Sequence, residues 1–431
     1  MAAAPTISDL IAELRHRDED LRLEAATALK ARGPDAVAAV AELIEALRDA
    51  DKRVRTAAAE ALAAVGPPAV PHLCAALRHN SDYVRANAAY VLGEIGPVAG
   101  PAAVEELLLT LRDAKANVRG WAAEALGLIG TATPPVISGL LRLLQDPLAS
   151  VRRLAATAIG RLGPAAGSAA SNLLQTLTDS DGSVYRAAAV ALGGLGPGVL
   201  PALVQALNSR NPAVRCGCAF ALGTLGSAAA AAEPHLIQLL NDRDPYVCID
   251  AAEALIKLRA DHADGLRMLI QLLNGPDHEV RANAADALGQ LHLDNADVIA
   301  ELRNALRDSS SKVRFHAVRA LGRTGPPARS VLPSLLQTTE DSSRDVRVAV
   351  IHAILQLRVI DERVVTALAE LLSDRDAEVR TQSAQALGRI GPQARPAVPA
   401  LIAALEDRDE HVGRQAALAL TAIGEDAPKE T

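Results

Sequence analysis

The chain has 431 residues, of which half are apolar and only 2% aromatic, and its formal net charge is −7. So few aromatic residues predict a core of Ala, Leu, Val and Ile, and Ala and Leu favour helix. The acidic balance argues against a nucleic-acid partner held mainly through phosphate contacts. Four cysteines, Cys74, Cys216, Cys218 and Cys248, are too few for a disulfide framework in so long a chain.

The first residues do not look like a targeting signal. The stretch from Met1 to Ser8 has no basic flank and no apolar run, and no segment approaches 18 uninterrupted apolar residues. We therefore expect no signal peptide and no membrane insertion, and a reducing cytoplasm is the simplest location.

One phrase returns about every 33 residues. It reads Asp-x-x-Val-Arg, followed by an Ala-rich stretch that ends Ala-Leu-Gly-x-Leu-Gly-Pro. A fixed period in this range indicates stacked supersecondary units. We predict a single array over residues 1–424, with about thirteen repeats of 30–34 residues, and a short polar tail at 425–431. The motif valine, or the leucine in its place, falls at Leu21, Val54, Val84, Val118, Val151, Val184, Val214, Val247, Val280, Val313, Val346, Val379 and Val412.

The repeat that starts at Pro201 shows how each hairpin is encoded. Pro201 suits the first turn of a helix, where its fixed φ and missing N–H do no harm. Asn211 can cap the second helix, Pro212 can open it, and Gly226 can end it in the left-handed conformation. The buried face of the second helix is predicted to contain Val214, Cys218, Ala221, Leu222 and Leu225. Each repeat is thus predicted to be a helical hairpin that buries its faces only by stacking.

Two repeat spacings are 30 residues, from Val54 to Val84 and from Val184 to Val214. In both, the missing residues fall in the connector that follows the second helix. Because a deletion in a surface loop leaves the helices in register, we expect these two repeats to stack like the others.

The repeated phrase resembles the HEAT-repeat superfamily, and within it the short bacterial HEAT-like repeats of phycobilisome lyase subunits. The resemblance covers about residues 7–424 and implies an all-α fold, an α-solenoid of about thirteen hairpins. It specifies no activity, because the same residues serve packing in every member. The HEAT-like deoxyhypusine hydroxylases hold iron with repeated His-Glu pairs, whereas the one such pair here, His278-Glu279, precedes a motif valine. We therefore predict no metal site of that kind.

Arginine follows the motif valine in ten repeats, at Arg22, Arg55, Arg85, Arg119, Arg152, Arg215, Arg281, Arg314, Arg347 and Arg380. A forked guanidinium can bridge two partners, so the pattern predicts an Arg–Asp ladder that holds the repeats in register. Tyr185, Cys248 and Gly413 interrupt it, which is consistent with a change of curvature or with a site. We expect capping of the second helix, and pairing with arginines of the same or the neighbouring repeat, by Asp51, Asp181, Asn211, Asp244, Asp277, Asp376 and Asp409.

In a HEAT-like array the second helices line the concave side. Helical geometry directs the second, third, sixth and tenth residues after the motif valine away from the buried stripe, and this rule also selects Cys216. Scarce aromatic residues on an exposed face favour anchors for a partner, and the alternative is that they fill gaps between adjacent second helices. The candidate partner-binding residues are Asn87, Tyr90, Trp121, Glu124, Arg153, Arg161, Phe220, Glu253, Asp286, Phe315, His316, Arg319 and His352.

Charge on this face comes in blocks of one sign. Such blocks can orient a polar partner, and random drift of solvated faces produces similar ones. In chain order the acidic and basic blocks alternate as Glu60, Glu94 and Glu124; Arg153, Arg161 and Arg186; Asp250, Glu253 and Asp286; and Arg319, Arg323 and Arg389.

Two groups of side chains contain residue types that commonly bind metal ions. Cys216, Cys218 and Cys248 lie in neighbouring repeats, but residues two apart on a helix face different ways, so we interpret them as buried small residues. His316 and His352 fall on adjacent repeats and could share a ligand, although solvated or partner-contacting histidines are the favoured interpretation. We predict no metal and no cofactor.

The sequence contains no phosphate loop, no Ser–His–Asp arrangement and no paired carboxylate with a recognisable partner. We therefore expect a non-enzymatic scaffold or adaptor that binds a protein partner on its concave surface. The alternative, implied by the resemblance, is a lyase-like or chaperone-like factor acting on a cofactor-bearing client. A DNA-damage reader like the HEAT-like glycosylases would need a basic groove that the charge blocks do not supply.

Overall fold

A computed structural model describes residues 5–259, 262–325 and 330–425. Within these ranges the regular structure is α-helix and short 3₁₀-helix, with no strand. Close contacts divide the chain into an N-terminal unit, Met1–His235, and a C-terminal unit, Leu236–Thr431. From residue 426 on, the predicted polar tail lies outside the described residues, and the single array over 1–424 stays a prediction.

Each repeat is a pair of helices, as predicted. The N-terminal unit contains α1 (Ile7–Glu13), α2 (Glu19–Arg32), α3 (Val40–Ala46), α4 (Lys52–Val65), α5 (Val70–Ala76), α6 (Asp82–Ile95), α7 (Gly100–Thr110), α8 (Ala116–Ile129), α9 (Pro134–Leu143), α10 (Ala149–Arg161), α11 (Ala170–Thr176), α12 (Gly182–Gly194), α13 (Leu200–Ala206) and α14 (Pro212–Leu225). Helix α15 (Glu233–Leu239) contains the boundary between the two units.

The C-terminal unit continues the same alternation. It contains α16 (Pro245–Leu258), α17 (Ala263–Leu273), α18 (His278–Gln290), α19 (Ala296–Ala305), α20 (Ser311–Thr324), α21 (Leu332–Gln337), α22 (Arg344–Leu357), α23 (Glu362–Leu371), α24 (Ala377–Ile390), α25 (Val398–Ala404) and α26 (Glu410–Ile423). In both units the odd-numbered helices are the first helices of their repeats, and the even-numbered helices are the second helices. The second helices carry the motif valines and the alanine-rich phrase.

Many connectors coil into a 3₁₀ turn before the next first helix. The full-length turns have seven residues, as at Gly33–Ala39 and Gly163–Ala169. In the two repeats with a spacing of 30 residues the turn has only three, at Pro67–Ala69 and Pro197–Val199. The deletion therefore falls in the connector, as predicted.

The residues predicted to bound α14 do so. The Asn211 side chain accepts a hydrogen bond from the Ala213 amide at 3.0 Å, and Pro212 is the first helical residue. Gly226 ends the helix with a φ of 57°. One expectation was wrong: Leu225, predicted to be buried, is half-buried. The reason is that Leu225 lies in the last turn of α14, where the packed stripe ends.

Glycines nine residues after the motif valine are the points where successive second helices come closest. A Cβ atom on Gly127 would lie 2.7 Å from the Cα atom of Ala158, and one on Gly289 would lie 2.6 Å from the Cα atom of Ala320. Real Cβ atoms do not approach backbone that closely. The glycine of the Ala-Leu-Gly phrase therefore sets the distance between neighbouring repeats.

The predicted Arg–Asp ladder is present, and it uses other carboxylates than those we expected. In the pairs given below, the guanidinium donates two hydrogen bonds to the aspartate that stands five residues before the next motif valine. The pairs are Arg22–Asp49, Arg85–Asp113, Arg119–Asp146, Arg152–Asp179, Arg281–Asp308, Arg314–Asp341, Arg347–Asp374 and Arg380–Asp407.

A single rung shows the geometry. Arg119 Nε lies 2.7 Å from Asp146 Oδ2, and Arg119 Nη2 lies 3.0 Å from Asp146 Oδ1. The Nη1 group of Arg119 donates to the Asp113 carbonyl in the turn before its own helix, at 2.8 Å. Asp146 also accepts from the Leu148 amide at 3.0 Å. Each rung therefore ties the turn of one repeat to the turn of the next.

The expected capping role is confirmed, and Asp51 pairs with Arg53 of its own repeat at 2.7 Å, but the ladder arginines pair with other carboxylates than these caps. Each of the seven residues accepts a hydrogen bond from the amide two residues further on, which directs its side chain at its own helix and leaves the ladder to the aspartate two residues earlier. These caps are Asp51, Asp181, Asn211, Asp244, Asp277, Asp376 and Asp409.

Two interruptions of the ladder affect both partners of the rung. Tyr185 stands in an arginine position, and Ser209 stands where the aspartate of that rung would be. Likewise Cys248 replaces an arginine and Gly275 replaces its aspartate. Because neither charge remains without the other at these two junctions, no buried ion is left uncompensated there.

The ladder predicts that the free energy of unfolding decreases at acid pH. Burial acts to raise the pKa of Asp146, but the hydrogen bonds from Arg119 and the Leu148 amide outweigh it and hold the pKa below its usual value. Hydrogen bonds from Arg152 lower the pKa of Asp179 in the same way. A lowered folded-state pKa adds stability that is complete above the unfolded pKa, about 3.9 for aspartate, and that is lost as pH falls below it.

We therefore expect the urea midpoint of unfolding to be level between about pH 7 and about pH 5 and to fall below about pH 4. Circular dichroism at a series of pH values checks this. A variant without one rung, Arg119→Cys/Asp146→Gly, should lose less stability on acidification than the wild type. Equal pH profiles of the two proteins would contradict this role of the ladder.

One stretch, Pro212–Leu239, is long and apolar enough to cross a membrane by length and composition, and 56% of its most apolar window is buried in the fold. It joins α14 and α15 through the turn Gly226–Ala232, in which Ala229 leaves the helical conformation. A bent pair, Gly182–Gly194 with Pro197–Ala206, passes the same test at an angle of 104°. Helices of a protein core pass such a test equally well, so this is weak evidence for a span.

Candidate functional site

The surface of interest is the exposed side of the second helices. At the sixth and tenth positions after the motif valine, none of the residues is buried in any of the thirteen repeats. We call these positions, together with the exposed residues at the second and third positions, the second-helix face. All thirteen candidate partner-binding residues lie on it and are half-buried or exposed.

The second position of the helix departs from the sequence-based rule. It is buried in six repeats, and Cys216 is among them, so its predicted place on the exposed face was wrong. The reason is that the second position lies at the edge of the buried stripe, where the neighbouring repeat can cover it.

Tyr90 and Trp121 form a contact between two repeats. Their ring centroids lie 5.2 Å apart with an interplanar angle of 69°, an edge-to-face arrangement. Tyr90 thus fills a gap between adjacent second helices, while 37% of the Trp121 surface stays exposed. Burial, and then the charges of nearby carboxylates including Glu94 and Glu60, raise the pKa of Tyr90. The aromatic pair therefore lies in acidic surroundings.

The same register joins charged side chains in the C-terminal unit. Asp286, a sixth-position residue, lies 3.3 Å from His316 Nδ1 and 3.1 Å from Arg323 Nη1 on the next second helix. Gln290 Nε2 donates to the other oxygen of Asp286 at 2.6 Å. The close contact with His316 contributes most to holding the pKa of Asp286 well below its usual value, against the effect of burial. Asp286 is therefore held as a carboxylate by the following repeat.

An equivalent ion pair exists in the N-terminal unit. Arg161 Nη1 lies 3.2 Å from Glu124 Oε1, again between a tenth and a sixth position. The predicted acidic and basic blocks are thus in contact where they meet, through Glu124–Arg161 in one unit and Asp286–Arg323 in the other.

Other candidate residues make contacts inside the fold. The Asn87 amide donates to the Leu47 carbonyl at 3.1 Å, which closes the end of α3. Glu253 pairs with Lys257 one helical turn away at 2.9 Å. The Arg319 guanidinium carbon lies 5.4 Å from the Phe315 ring centroid, within the range of a cation–π contact. These contacts fix side-chain positions on the face without closing it off.

A groove of about 610 Å³ lies between α10 and α12. Arg153, Arg161 and Arg186 line it together with Thr157 and Val190, and within the described ranges no carboxylate does. Val190 is 49% exposed, and sequence reasoning missed it because we selected aromatic, charged and amide side chains and left aliphatic ones out. Its sixth position after the motif valine was the signal that identified it as a surface residue.

The cysteines are dispersed in the fold. Cys218 is completely buried, and burial raises the pKa of its thiol to about 12. Cys74 is half-buried, and no disulfide forms among the four. In the part of the chain that the structure describes, no three His, Cys, Asp or Glu side chains are grouped as metal ligands would be.

A profile of HEAT repeats matches residues 7–92, 70–160, 137–209, 200–266, 266–354 and 332–396, without a gap between residues 7 and 396. The chain belongs to the HEAT-repeat family. The predicted all-α solenoid is therefore confirmed, and the phycobilisome lyase subgroup is not decided by this match. No curated protein sequence matches the chain.

Solved structures of similar fold include karyopherins. A substituted form of Kap121p matches 94% of this chain and 52% of its own, at 17% identity and a TM-score of 0.51. The karyopherin Kap121p bound to the SUMO protease Ulp1p matches 94% of this chain and 51% of its own, at 16% identity and a TM-score of 0.50. The HEAT-repeat chain thus spans about half the length of these structures, and at such identities the likeness is one of fold alone.

Proposed function

We propose that this HEAT-repeat protein is a non-enzymatic scaffold or adaptor that binds a protein partner on the second-helix face. The observation that carries the proposal is Trp121, the one tryptophan of the chain, which is partly exposed on a face built mostly from small and charged residues. Tryptophan and arginine are the residues that most often dominate binding energy at protein interfaces. Trp121 and the arginines of the α10–α12 groove occupy one face of the N-terminal unit.

Two further observations support a protein partner. The ion pairs and ring contacts on the face hold side chains such as Phe315 and Arg161 in place, which lowers the entropy lost on binding. The Kap121p structure described above holds the protein Ulp1p, so an array of this fold can bind a protein. We also propose a cytoplasmic location, since four cysteines are too few for a disulfide framework in a chain of 431 residues.

The phycobilisome lyase resemblance gives the alternative, in which the partner is a client that carries a chromophore or another cofactor. Its support is the repeated phrase of the sequence. Visible absorbance in the captured client would favour this alternative over a plain scaffold.

The test uses a Trp121→Ala/Phe315→Ala variant. We expect a partner that is recovered with the wild-type protein from its native source, and then purified, to bind this variant about 30-fold more weakly, because loss of a hot-spot aromatic typically costs about 2 kcal/mol. Isothermal titration calorimetry gives both affinities. Leu109→Ala/Ile402→Ala is the matched control, since both residues are exposed aliphatics on first helices, α7 and α25.

If the control weakens binding as much as the Trp121→Ala/Phe315→Ala variant, the partner does not use the second-helix face. If neither variant changes the affinity, the proposed binding surface is wrong.

A further inference from the structure

The residue twelve positions after the motif valine closes the second helix. In ten of the thirteen repeats it is glycine, and every one of these glycines has a positive φ, which glycine adopts without strain. In the other three repeats the residue is Arg259, His292 or Arg358. Each replacement therefore introduces a basic side chain, and all three lie in the C-terminal unit.

Two of these replacements keep the positive φ of the glycines. His292 has a φ of 50° and Arg358 a φ of 52°, and they are the only non-glycine residues with positive φ in the described part of the chain. A side chain with a Cβ atom is strained in this conformation. Strain of this kind persists where the surrounding structure maintains it, and it concentrates at functional positions.

His292 and Arg358 line the same cavity. Its volume is about 450 Å³, and Arg323, His352 and Arg389 contribute the other ionisable side chains of its wall. Among the residues that the structure describes, no aspartate or glutamate lines it, in a protein whose formal net charge is −7. Three arginines and two histidines thus line the cavity. They belong to four successive second helices, α18, α20, α22 and α24, or directly follow them.

The charges of this cavity are largely uncompensated within the described residues. Arg323 is the exception, because its Nη1 atom forms an ion pair with Asp286 Oδ1 at 3.1 Å. Arg358 and Arg389 have no ion-pair partner among the residues that the structure describes, and both are exposed. Two guanidinium groups are thus available to a ligand, and guanidinium binds carboxylate and phosphate oxygens through paired hydrogen bonds.

We propose that this cavity, which we call the basic cavity, binds an oxyanion of the partner, a carboxylate or a phosphate on an acidic peptide segment. The proposal rests on the proposed function and adds the chemistry that the partner brings to the face. His352 and Arg323 belong to the second-helix face, so the segment would run along that face and end at its C-terminal edge. A single-signed cavity selects the charge of its ligand.

A purely structural account of the same residues exists. Cations near helix C-termini interact favourably with the helix dipole, and His292 Nδ1 lies 2.8 Å from the Gln290 carbonyl oxygen. On that account, Arg358→Gly removes a stabilising cap and lowers the melting temperature. On ours, it restores the residue of the other repeats, keeps or raises the melting temperature, and weakens ligand binding.

The experiment measures fluorescence anisotropy of labelled peptides with the full-length chain at low ionic strength. The probes are one peptide rich in Asp and Glu, one with phosphoserines at the same positions, and one with Asn and Gln instead. We expect one of the charged peptides to bind and the neutral one not to, and the tighter charged peptide identifies the source of the oxyanion. Arg358→Gly and Arg389→Gln should each weaken its binding about tenfold, in line with the loss of a charged hydrogen bond.

Arg112→Gln removes an arginine from the turn after α7 and is the control, expected to leave peptide affinity unchanged. The proposal is overturned if no charged peptide binds, if Arg112→Gln weakens binding as much as Arg358→Gly, or if Arg358→Gly lowers the melting temperature without changing affinity. Because partner capture by the Trp121→Ala/Phe315→Ala variant is measured separately, failure of the peptide experiment leaves the scaffold proposal standing.

Discussion

Replacing Gly127 with leucine should lower the free energy of unfolding of the N-terminal unit by about 3 kcal/mol, the upper part of the usual range for overpacking. A Cβ atom at this position would lie 2.7 Å from the Ala158 Cα atom and 2.9 Å from its Cβ atom. Because the nearest obstacle is backbone, the two helices must separate, and α8 and α10 would lose contact along their length. The urea midpoint of the purified variant measures the loss.

Gly182→Leu is the matched control for this substitution. Gly182 begins α12, and a Cβ atom there would meet nothing within 4 Å. We expect its free energy of unfolding to stay within about 0.5 kcal/mol of the wild type, as for most surface substitutions. Equal losses in both variants would mean that glycine contributes through backbone freedom and not through the close approach of helices.

The Asp146→Ala variant is expected to lose about 3 kcal/mol, because removing one partner of a buried ion pair leaves the other charge uncompensated. Asp146 is the more buried partner, with 4% of its side chain exposed, and Arg119 has 15%. The loss includes the hydrogen bond to the Leu148 amide as well. Denaturant titration followed by circular dichroism gives the value.

The chain itself suggests how to remove a rung at lower cost. Cys248 and Gly275 show a junction where both charges are absent, so an Arg119→Cys/Asp146→Gly double variant imitates a natural arrangement. We expect the double variant to be more stable than Asp146→Ala, which would establish coupling between the two positions. A double variant that loses the sum of the two single effects would show that the rung carries no pairwise energy.

The fold was predictable from the sequence because each repeat carries the same local instructions. The caps at Asn211 and Gly226 were identified correctly, since both depend on backbone positions within a few residues. The ladder partners were not, because the aspartate at Asp146 and the cap at Asp181 differ only in their place within a turn. The backbone path of that turn decides which carboxylate faces the neighbouring guanidinium. The periodicity of the sequence carries no information about this path.

The second-helix face was predictable in outline and less so in detail. Helical spacing placed Trp121 and Arg153 on the surface, and the structure agrees. Helical spacing did not predict that the neighbouring repeat often covers the second position, as at Cys216, because this burial depends on the distance between repeats. The basic cavity was missed because His292 and Arg358 differ from other surface residues only in their positive φ and in replacing the glycine of the repeat. The positive φ is not visible in the sequence.

The loss of the Arg–Asp rung at Cys248 and Gly275 has a consequence for how the C-terminal unit deforms, because its other described junctions keep their rungs. In repeat proteins the energy is a sum of terms within repeats and terms between neighbours, so a missing ion pair weakens one junction only. We therefore expect bending and partial opening to concentrate at that junction, with the helices on either side moving as blocks. On this expectation the C-terminal unit adjusts its pitch at one defined hinge, with the hairpins themselves intact.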